Sequence, residues 1–105
     1  MFVEINPADA NDLGITDGDQ VWVEGAEGGR VKVKALVTPR VDRNVAFMPF
    51  HFGGMFQGES LHDRYPEGTV PYVIGEAANT ATTYGYDPVT LMQETKCTIC
   101  RIERA

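Results

Sequence analysis

Cysteine and basic residues are both scarce in this chain. Cys97 and Cys100 are the only cysteines among 105 residues, too few for a disulfide scaffold and only half of a four-cysteine zinc site. Nine Lys and Arg stand against fifteen Asp and Glu, which gives a formal charge of -6. Such a chain lacks the broad positive surface that attracts nucleic acid, so we expect no nucleic-acid partner. Any anionic ligand must therefore be bound by a few individual groups and not by a broad positive surface.

Long apolar stretches are missing as well. The longest apolar runs, such as residues 45–50, are short and interrupted by Pro49, whereas a membrane span needs about 20 apolar residues. We therefore expect no direct membrane insertion. The first five residues lack the basic and apolar regions of a signal peptide. Either the protein is made without one or its beginning has been removed, and both a cytoplasmic and a periplasmic location stay open.

The composition is otherwise that of an ordinary globular protein. Hydrophobic residues make up 43% of the chain and charged residues 23%, so the chain is expected to fold around one core. Its length suits a single domain over residues 1–105.

A short helix is predicted directly after an initial strand at residues 2–5. Asn6 suits the N-cap, where its side-chain oxygen can accept a hydrogen bond from a free backbone N–H. Pro7 suits the first helical position because its missing donor costs nothing there, and Asp9 favours the positive end of the helix. Gly14 can take a positive φ and is expected to end the helix.

Alternating apolar and polar residues predict further strands. Residues 20–24 form one strand, with Val21 and Val23 facing the core and Trp22 on the opposite face. The clearest alternation places Val31, Val33, Ala35 and Val37 on one face and Arg30, Lys32 and Lys34 on the other. These strands are predicted to form a hairpin across residues 25–29. The basic stripe is most simply the solvated face of its strand.

The second half of the chain is less regular. A strand is predicted at 45–48, a helical turn at 75–79 and a final strand at 95–102. Between His51 and Tyr72 the periodicity vanishes, which predicts a loop of about twenty residues where ~4 to 6 is typical, so a functional role is favoured. The whole pattern indicates a mainly β protein, a small β-barrel with short helices.

No self-contained catalytic motif occurs in the sequence. There is no G-x-S-x-G, no H-E-x-x-H and no phosphate-binding G-x-x-x-x-G-K-[ST]. In an extended strand Cys97 and Cys100 would point to opposite faces, so ordinary strand residues are the simplest interpretation of this pair. His51, Gly53 and Gly54 open the long loop, where the glycines would let a ligand approach backbone N–H groups. A structural role for His51 is the simpler alternative.

Two further polar residues are candidates for ligand contacts. The Asn79 amide offers an acceptor and two donors, which suits the edge of a purine or pterin, and the Lys96 ammonium suits a phosphate. An ordinary exposed surface position is the simpler interpretation of both residues.

An ordered series of short motifs runs along almost the whole chain: Val3-Glu4-Ile5-Asn6-Pro7-x-Asp9-Ala10, Leu13-Gly14-Ile15-x-Asp17-Gly18-Asp19-x-Val21, Val45-x-Phe47-Met48-Pro49-Phe50-His51, Gly75-x-Ala77-Ala78-Asn79, Asp87-Pro88 and Lys96. This series resembles the C-terminal molybdopterin-dinucleotide-binding domain of the dimethyl-sulfoxide-reductase superfamily. It is most similar to the catalytic (alpha) subunit of molybdenum- or tungsten-dependent formate dehydrogenases.

The resemblance implies a double-psi β-barrel that covers one side of a molybdopterin guanine dinucleotide, as the last domain of a larger enzyme. That enzyme would oxidise formate to carbon dioxide. An iron–sulfur cluster and the catalytic residues would belong to its other domains, and separate subunits would carry the electrons. By motif position, the implied cofactor-binding residues are His51, Phe52, Gly53, Gly54, Asn79, Thr82 and Lys96.

The chain departs from the family pattern in three places. Ala81 stands where the family commonly has leucine in N-x-L-T, which thins a core contact, and Thr95 replaces an aromatic residue before Lys96, which removes a stacking surface. The family domain also usually begins some residues before Phe2, so one barrel strand is expected to be missing or replaced.

Three alternatives stay open at this point. The domain could belong to a nitrate reductase or a formylmethanofuran dehydrogenase, where the latter sometimes has it as a small separate subunit. A small metal or redox protein built on Cys97 and Cys100 would need further ligands. A protein-interaction barrel without a cofactor would use the long loop as a docking surface.

Overall fold

The computed structural model describes residues 1–82, 88–91 and 98–105. A five-stranded sheet forms the centre of the fold and consists of β1 (Phe2–Ile5), β2 (Gln20–Gly25), β3 (Arg30–Val37), β4 (Ala46–Phe47) and β8 (Cys100–Arg104) in the order β4-β1-β3-β2-β8. Three further strands, β5 (Gly54–Phe56), β6 (Glu59–Ser60) and β7 (Gly75–Glu76), form a second sheet in the order β6-β5-β7. The protein is therefore mainly β.

Helix α1 (Pro7–Leu13) begins and ends as the sequence predicts. The Asn6 side chain accepts a hydrogen bond from the Ala8 N–H at 2.9 Å, and Pro7 occupies the first turn. Gly14 ends the helix with a φ of 67°. The polypeptide can then turn into β2 without a Cβ penalty.

The central hairpin is also confirmed. In β2 and β3 the valines alternate with polar residues, and Val21, Val23, Val31 and Val33 are all buried. Trp22 lies on the opposite face, directly across from Lys32. Burial of the alternate residues fixes the register, because a shift by one position would expose the whole valine set.

The core lies between the concave face of the large sheet and α1. It consists of Val3, Ile5, Ala10, Ile15, Val21, Val23, Val31, Val33, Ala35 and Ala81. The sheet is curled into a half-barrel, because Ala46 of one edge strand and Ile102 of the other line the same cleft of about 360 Å³. β1 pairs with β3 in parallel, and the other neighbours in this sheet are antiparallel.

The structure corrects the prediction of an irregular loop from His51 to Tyr72. Within that range β5 and β6 form a hairpin, and His62–Arg64 form a 3-10 turn. The hairpin turn uses Gln57 and Gly58, with φ values of 50° and 89°. Positive φ at both central residues is the geometry that matches the twist of two antiparallel strands.

Other predicted boundaries also change. Gly75–Glu76 is a strand, and the helical turn occupies Ala78–Thr80. The strand predicted at 45–48 is limited to Ala46–Phe47, because Pro49 has no N–H for a ladder. The last strand extends to Arg104, beyond the predicted 95–102, and begins at Cys100. Lys96 and Cys97 lie outside the described residues. None of the described helices is long and apolar enough to cross a membrane.

Candidate functional site

The segment His51–Gly54, which we call the glycine loop, links β4 to β5. His51 has a left-handed φ of 71° and follows Phe50, whose φ is negative. Left-handed residues also occur in the turns whose backbone N–H groups bind anions. The His51 side chain is exposed, and Phe52 and Gly53 are half-buried.

The glycine loop has unused hydrogen-bond donors. Within residues 1–82, 88–91 and 98–105, the backbone N–H groups of His51, Phe52 and Gly53 have no acceptor. Most backbone donors in folded proteins are paired with protein or water. Three consecutive free donors on a half-buried loop are therefore suited to an anionic or carbonyl oxygen of a ligand.

Residues 72–75 support the glycine loop from behind. The Tyr72 hydroxyl donates to the His51 carbonyl at 2.8 Å, and the Gly53 carbonyl accepts from the N–H groups of Ile74 and Gly75 at 2.8 and 3.0 Å. Gly54 packs directly against this segment. A Cβ on Gly54 would be 2.2 Å from both the Tyr72 carbonyl oxygen and the Val73 Cα. The loop is thus held in place by contacts at His51, Gly53 and Gly54.

Glu76 is a buried carboxylate that the sequence analysis missed. Its side chain is 2% exposed and accepts hydrogen bonds from three backbone N–H groups, those of Lys32, Gln57 and Gly58. The distances are 3.4 Å to Lys32 N and 3.0 Å to Gln57 N. The carboxylate thereby joins the large sheet to the tip of the β5–β6 hairpin. A glutamate next to a glycine gave no signal of this in the sequence.

Asn79 and Thr82 lie at the other end of β7 from the glycine loop. The side chain of Asn79 is exposed, and the Thr82 hydroxyl donates to the Asn79 carbonyl at 3.3 Å. The carbonyls of Thr80 and Ala81 pack on Gly29 and Gly25 of the β2–β3 hairpin, where a Cβ would lie within about 2 Å of them. The structure brings His51, Phe52, Gly53 and Gly54 together as one loop and places Asn79 and Thr82 as a second, separate group.

Nothing in the described part of the chain resembles a metal or redox centre. No group of three or more His, Cys, Asp or Glu residues there could hold a metal ion. The Cys100 thiol borders the cleft between the two edge strands, and burial raises its pKa above the usual value. A raised pKa disfavours the thiolate that metals and disulfide exchange require. The geometry of the described residues is suited to binding and orienting a ligand through backbone donors.

Known proteins similar to this chain carry the same domain. Residues 1–99 match the family model described as "Molydopterin dinucleotide binding domain". The chain is 33% identical over 103 residues to the F420-dependent formate dehydrogenase 2 subunit alpha of Methanococcus maripaludis, a match that covers 98% of this chain and 12% of that protein.

Two further relatives differ in the reactions that their names state. Formate dehydrogenase 2 subunit alpha (cytochrome c-553) of Nitratidesulfovibrio vulgaris is 29% identical over 100% of this chain and 10% of its own length. The NADPH-Fe(3+) oxidoreductase subunit alpha of Geobacter sulfurreducens is 45% identical over 72% of this chain and 9% of its own. The chain thus spans about a tenth of the length of these relatives. On the family match over residues 1–99, the chain belongs to the molybdopterin dinucleotide-binding domain family.

Proposed function

We propose that this chain is the module that holds the molybdopterin guanine dinucleotide of a formate dehydrogenase. The observation that carries the proposal is the run of free backbone donors at His51, Phe52 and Gly53, held from behind by residues 72–75. An acidic domain has no general positive field for a diphosphate, so fixed N–H groups on a glycine loop are the donors that it can offer.

The two groups of candidate residues would contact different parts of the cofactor. The glycine loop lies at one end of β7, and Asn79 and Thr82 lie at the other. A dinucleotide is long enough to need separate contacts for its pterin, diphosphate and guanine groups. The Asn79 amide is suited to the edge of a pterin or guanine ring, and the free N–H groups are suited to oxygen atoms. Lys96 is included among the candidate residues on the basis of the family resemblance.

The redox chemistry would be supplied by the bound cofactor and its molybdenum or tungsten. This chain would bind and orient the cofactor, and its buried sheets would exclude water from one side of it. Formate oxidation, an iron–sulfur cluster and the catalytic residues would belong to the remaining domains of a larger subunit, with electron-transfer subunits beside it. This division of roles is supported by the relatives named formate dehydrogenase, because the matched region is about a tenth of their length.

We further propose a double-psi arrangement for the barrel. It is supported by the curled sheet, in which β1 pairs in parallel with β3 while β8 returns to pair with β2. Such crossing connections bring loops from distant parts of the chain to one face.

A titration of the labelled chain with GDP, followed by NMR chemical shifts, tests the binding proposal. We expect shifts at the glycine loop and at Asn79, and smaller shifts at Asn79 with ADP, which has the same diphosphate but a different base. His62, on the exposed 3-10 turn, should not respond. Equal chemical-shift changes with GDP and ADP, both at the glycine loop and at Asn79, would contradict guanine recognition. No shift at the glycine loop would contradict its role as an oxygen-binding loop.

A further inference from the structure

Half of the Lys and Arg side chains in the described part of the chain are paired with carboxylates, and the other half lie on one strand and at one turn. Arg40 pairs with Glu4, Arg43 with Asp9 and Asp12, Arg101 with Glu24, and Arg104 with Asp19. Among the described residues, Arg30, Lys32 and Lys34 have no carboxylate within 4 Å, and neither has Arg64 on the 3-10 turn. The first three project from the same face of β3, which we call the β3 cation face.

Two carboxylates next to this face, those of Glu24 and Glu76, are bound elsewhere, and the exposed Glu103, across from Trp22, makes no salt bridge with it. Glu24 lies directly across from Arg30 in the β2–β3 ladder, yet its carboxylate accepts from Arg101 on β8 at 3.3 Å. Glu76 lies beside the Lys32 backbone, but its oxygens are occupied by three N–H groups and its side chain is 2% exposed. In a chain of net charge -6, the three cations of the β3 cation face are thus without a salt-bridge partner among the described residues.

The Trp22 ring contacts two side chains of the β3 cation face. The Arg30 guanidinium carbon is 4.2 Å from the centroid of the indole ring, and the Lys32 ammonium nitrogen is 5.7 Å away. Both distances are within the range of cation–π attraction. The far edge of the ring is packed against Gly58, where a Cβ would be 3.1 Å from the indole. Tryptophan and arginine are the residue types that most often dominate protein interfaces.

A groove of about 170 Å³ borders the face between the two sheets. Its lining combines the cations Lys32 and Lys34 with the amide of Gln20 and the flexible apolar side chains of Met1 and Met55. Glu76 also lines the groove, with its carboxylate engaged by three backbone N–H groups. Such a lining can surround the methylene groups of an acidic side chain while its carboxylate meets the ammonium groups. Methionine adapts readily to the shape of an inserted side chain.

We propose that the β3 cation face docks an acidic segment of another protein subunit. A protein partner is favoured because three relatives are named as alpha subunits, which implies further subunits beside them. Nucleic acid is disfavoured because the remaining surface is strongly acidic and would repel an extended polyanion. On a strand, Lys32 and Lys34 are about 6.7 Å apart, the same repeat at which alternate residues of an extended acidic segment present their carboxylates.

A short peptide of alternating Glu and Thr is the probe for this surface, with the matching Gln and Thr peptide as the uncharged control. Titrated into the labelled 105-residue chain, the acidic peptide should shift the amides of residues 30–34 and the Trp22 indole N–H. Binding should weaken strongly between ~0.05 and ~0.5 M salt, because the contact is electrostatic. We expect Lys34→Gln to lower the affinity about fivefold and the Lys32→Gln, Lys34→Gln double variant further.

Arg64→Gln is the matched control, because Arg64 is an exposed cation on the 3-10 turn, outside β3, and has no carboxylate partner among the described residues. It should leave the affinity unchanged. An equal loss in Arg64→Gln, or equal binding of the Gln and Thr peptide, would overturn the proposal. Tighter binding of single-stranded oligothymidine than of the acidic peptide would also overturn it, in favour of a nucleic-acid surface. GDP binding at the glycine loop is measured at other residues, so either result leaves this test intact.

Discussion

The Tyr72 hydroxyl donates a 2.8 Å hydrogen bond to the carbonyl of His51, the one residue of the glycine loop that holds a left-handed backbone without being glycine. A side chain from twenty-one positions further along the chain thus fixes the backbone of an exposed histidine. Left-handed φ is unfavourable for residues with a Cβ, so a compensating contact is needed there. The direction of the free N–H groups at residues 51–53 depends on this contact.

Removal of the Tyr72 hydroxyl should loosen the glycine loop and leave the fold intact. Tyr72→Phe keeps the ring that packs on Gly53 and loses one hydrogen bond, which lowers the free energy of unfolding by about 1 kcal/mol. Backbone NMR relaxation should report greater motion at His51 and Phe52. Tyr65→Phe is the matched control, because the Tyr65 hydroxyl donates to the Tyr72 carbonyl and not to the loop. Unchanged loop relaxation in Tyr72→Phe, or the same change in both variants, would contradict a specific role for Tyr72.

Glu76 should be one of the most sensitive positions in the protein. Glu76→Ala leaves three backbone N–H groups without an acceptor, and we expect a loss of about 3 kcal/mol or more in the free energy of unfolding. Glu76→Gln retains one acceptor oxygen and should lose about 1–3 kcal/mol. Glu59→Gln, at an exposed position on β6, should change the stability by less than ~0.5 kcal/mol. Urea unfolding measures all three variants, and a stable Glu76→Ala would show that the carboxylate does not join the sheets.

Alanine substitutions at Gly54 and Gly68 distinguish the effect of steric crowding on stability from the effect of backbone conformation. Both have positive φ, 92° and 85°, but a Cβ on Gly68 would meet no atom within 4 Å. Gly68→Ala should therefore cost about 1–2 kcal/mol, the conformational penalty alone. Gly54→Ala should cost clearly more, because its Cβ would overlap the backbone of Tyr72 and Val73. Thermal unfolding of the two variants provides the comparison, and equal losses would contradict the close approach at Gly54.

Asp9 should make the protein sensitive to acid. The Asn44 N–H donates to one oxygen of Asp9 and Arg43 to the other, and these contacts hold the pKa of this carboxyl below its ordinary value of 3.8. Because the folded-state pKa is the lower one, the stabilisation is complete above the unfolded value and is lost as pH falls through the folded pKa.

Urea unfolding from about neutral pH down to about pH 3 measures this contribution. Asp9→Asn should be less stable than the native protein near neutral pH, and the difference should shrink below about pH 4. Asp42→Asn, at an exposed position, should follow the native profile. A difference that is constant with pH would contradict the assigned contacts.

Local signals in the sequence predict the first half of the fold well. Asn6, Pro7 and Gly14 mark α1 because capping depends on side chains near in sequence, and alternation marks β2 and β3 because one face of each strand is buried. The parallel pairing of β1 with β3 has no such local mark. It depends on contacts between strands that a helix and another strand separate.

The second half depends on features that periodicity does not carry. β5, β6 and β7 have two or three residues each, too few for alternation to be recognised. Their position is fixed by the Glu76 carboxylate and by the Tyr72 contacts, which join residues far apart in sequence. The glycine loop was predicted as a candidate site from its glycines, whereas its free donors and their support are visible only in the structure.

The order of strands in the large sheet has a consequence for how the protein forms during synthesis. β8 pairs with β2, with Val21 opposite Arg104, although most of the chain lies between these two strands. Until β8 has been synthesised, one edge of β2 is unpaired, and an unpaired edge can pair with strands of other chains. The nascent protein therefore passes through a stage in which its valine-rich hairpin is complete but has an unpaired edge, and this stage lasts until residues 100–104 have been made.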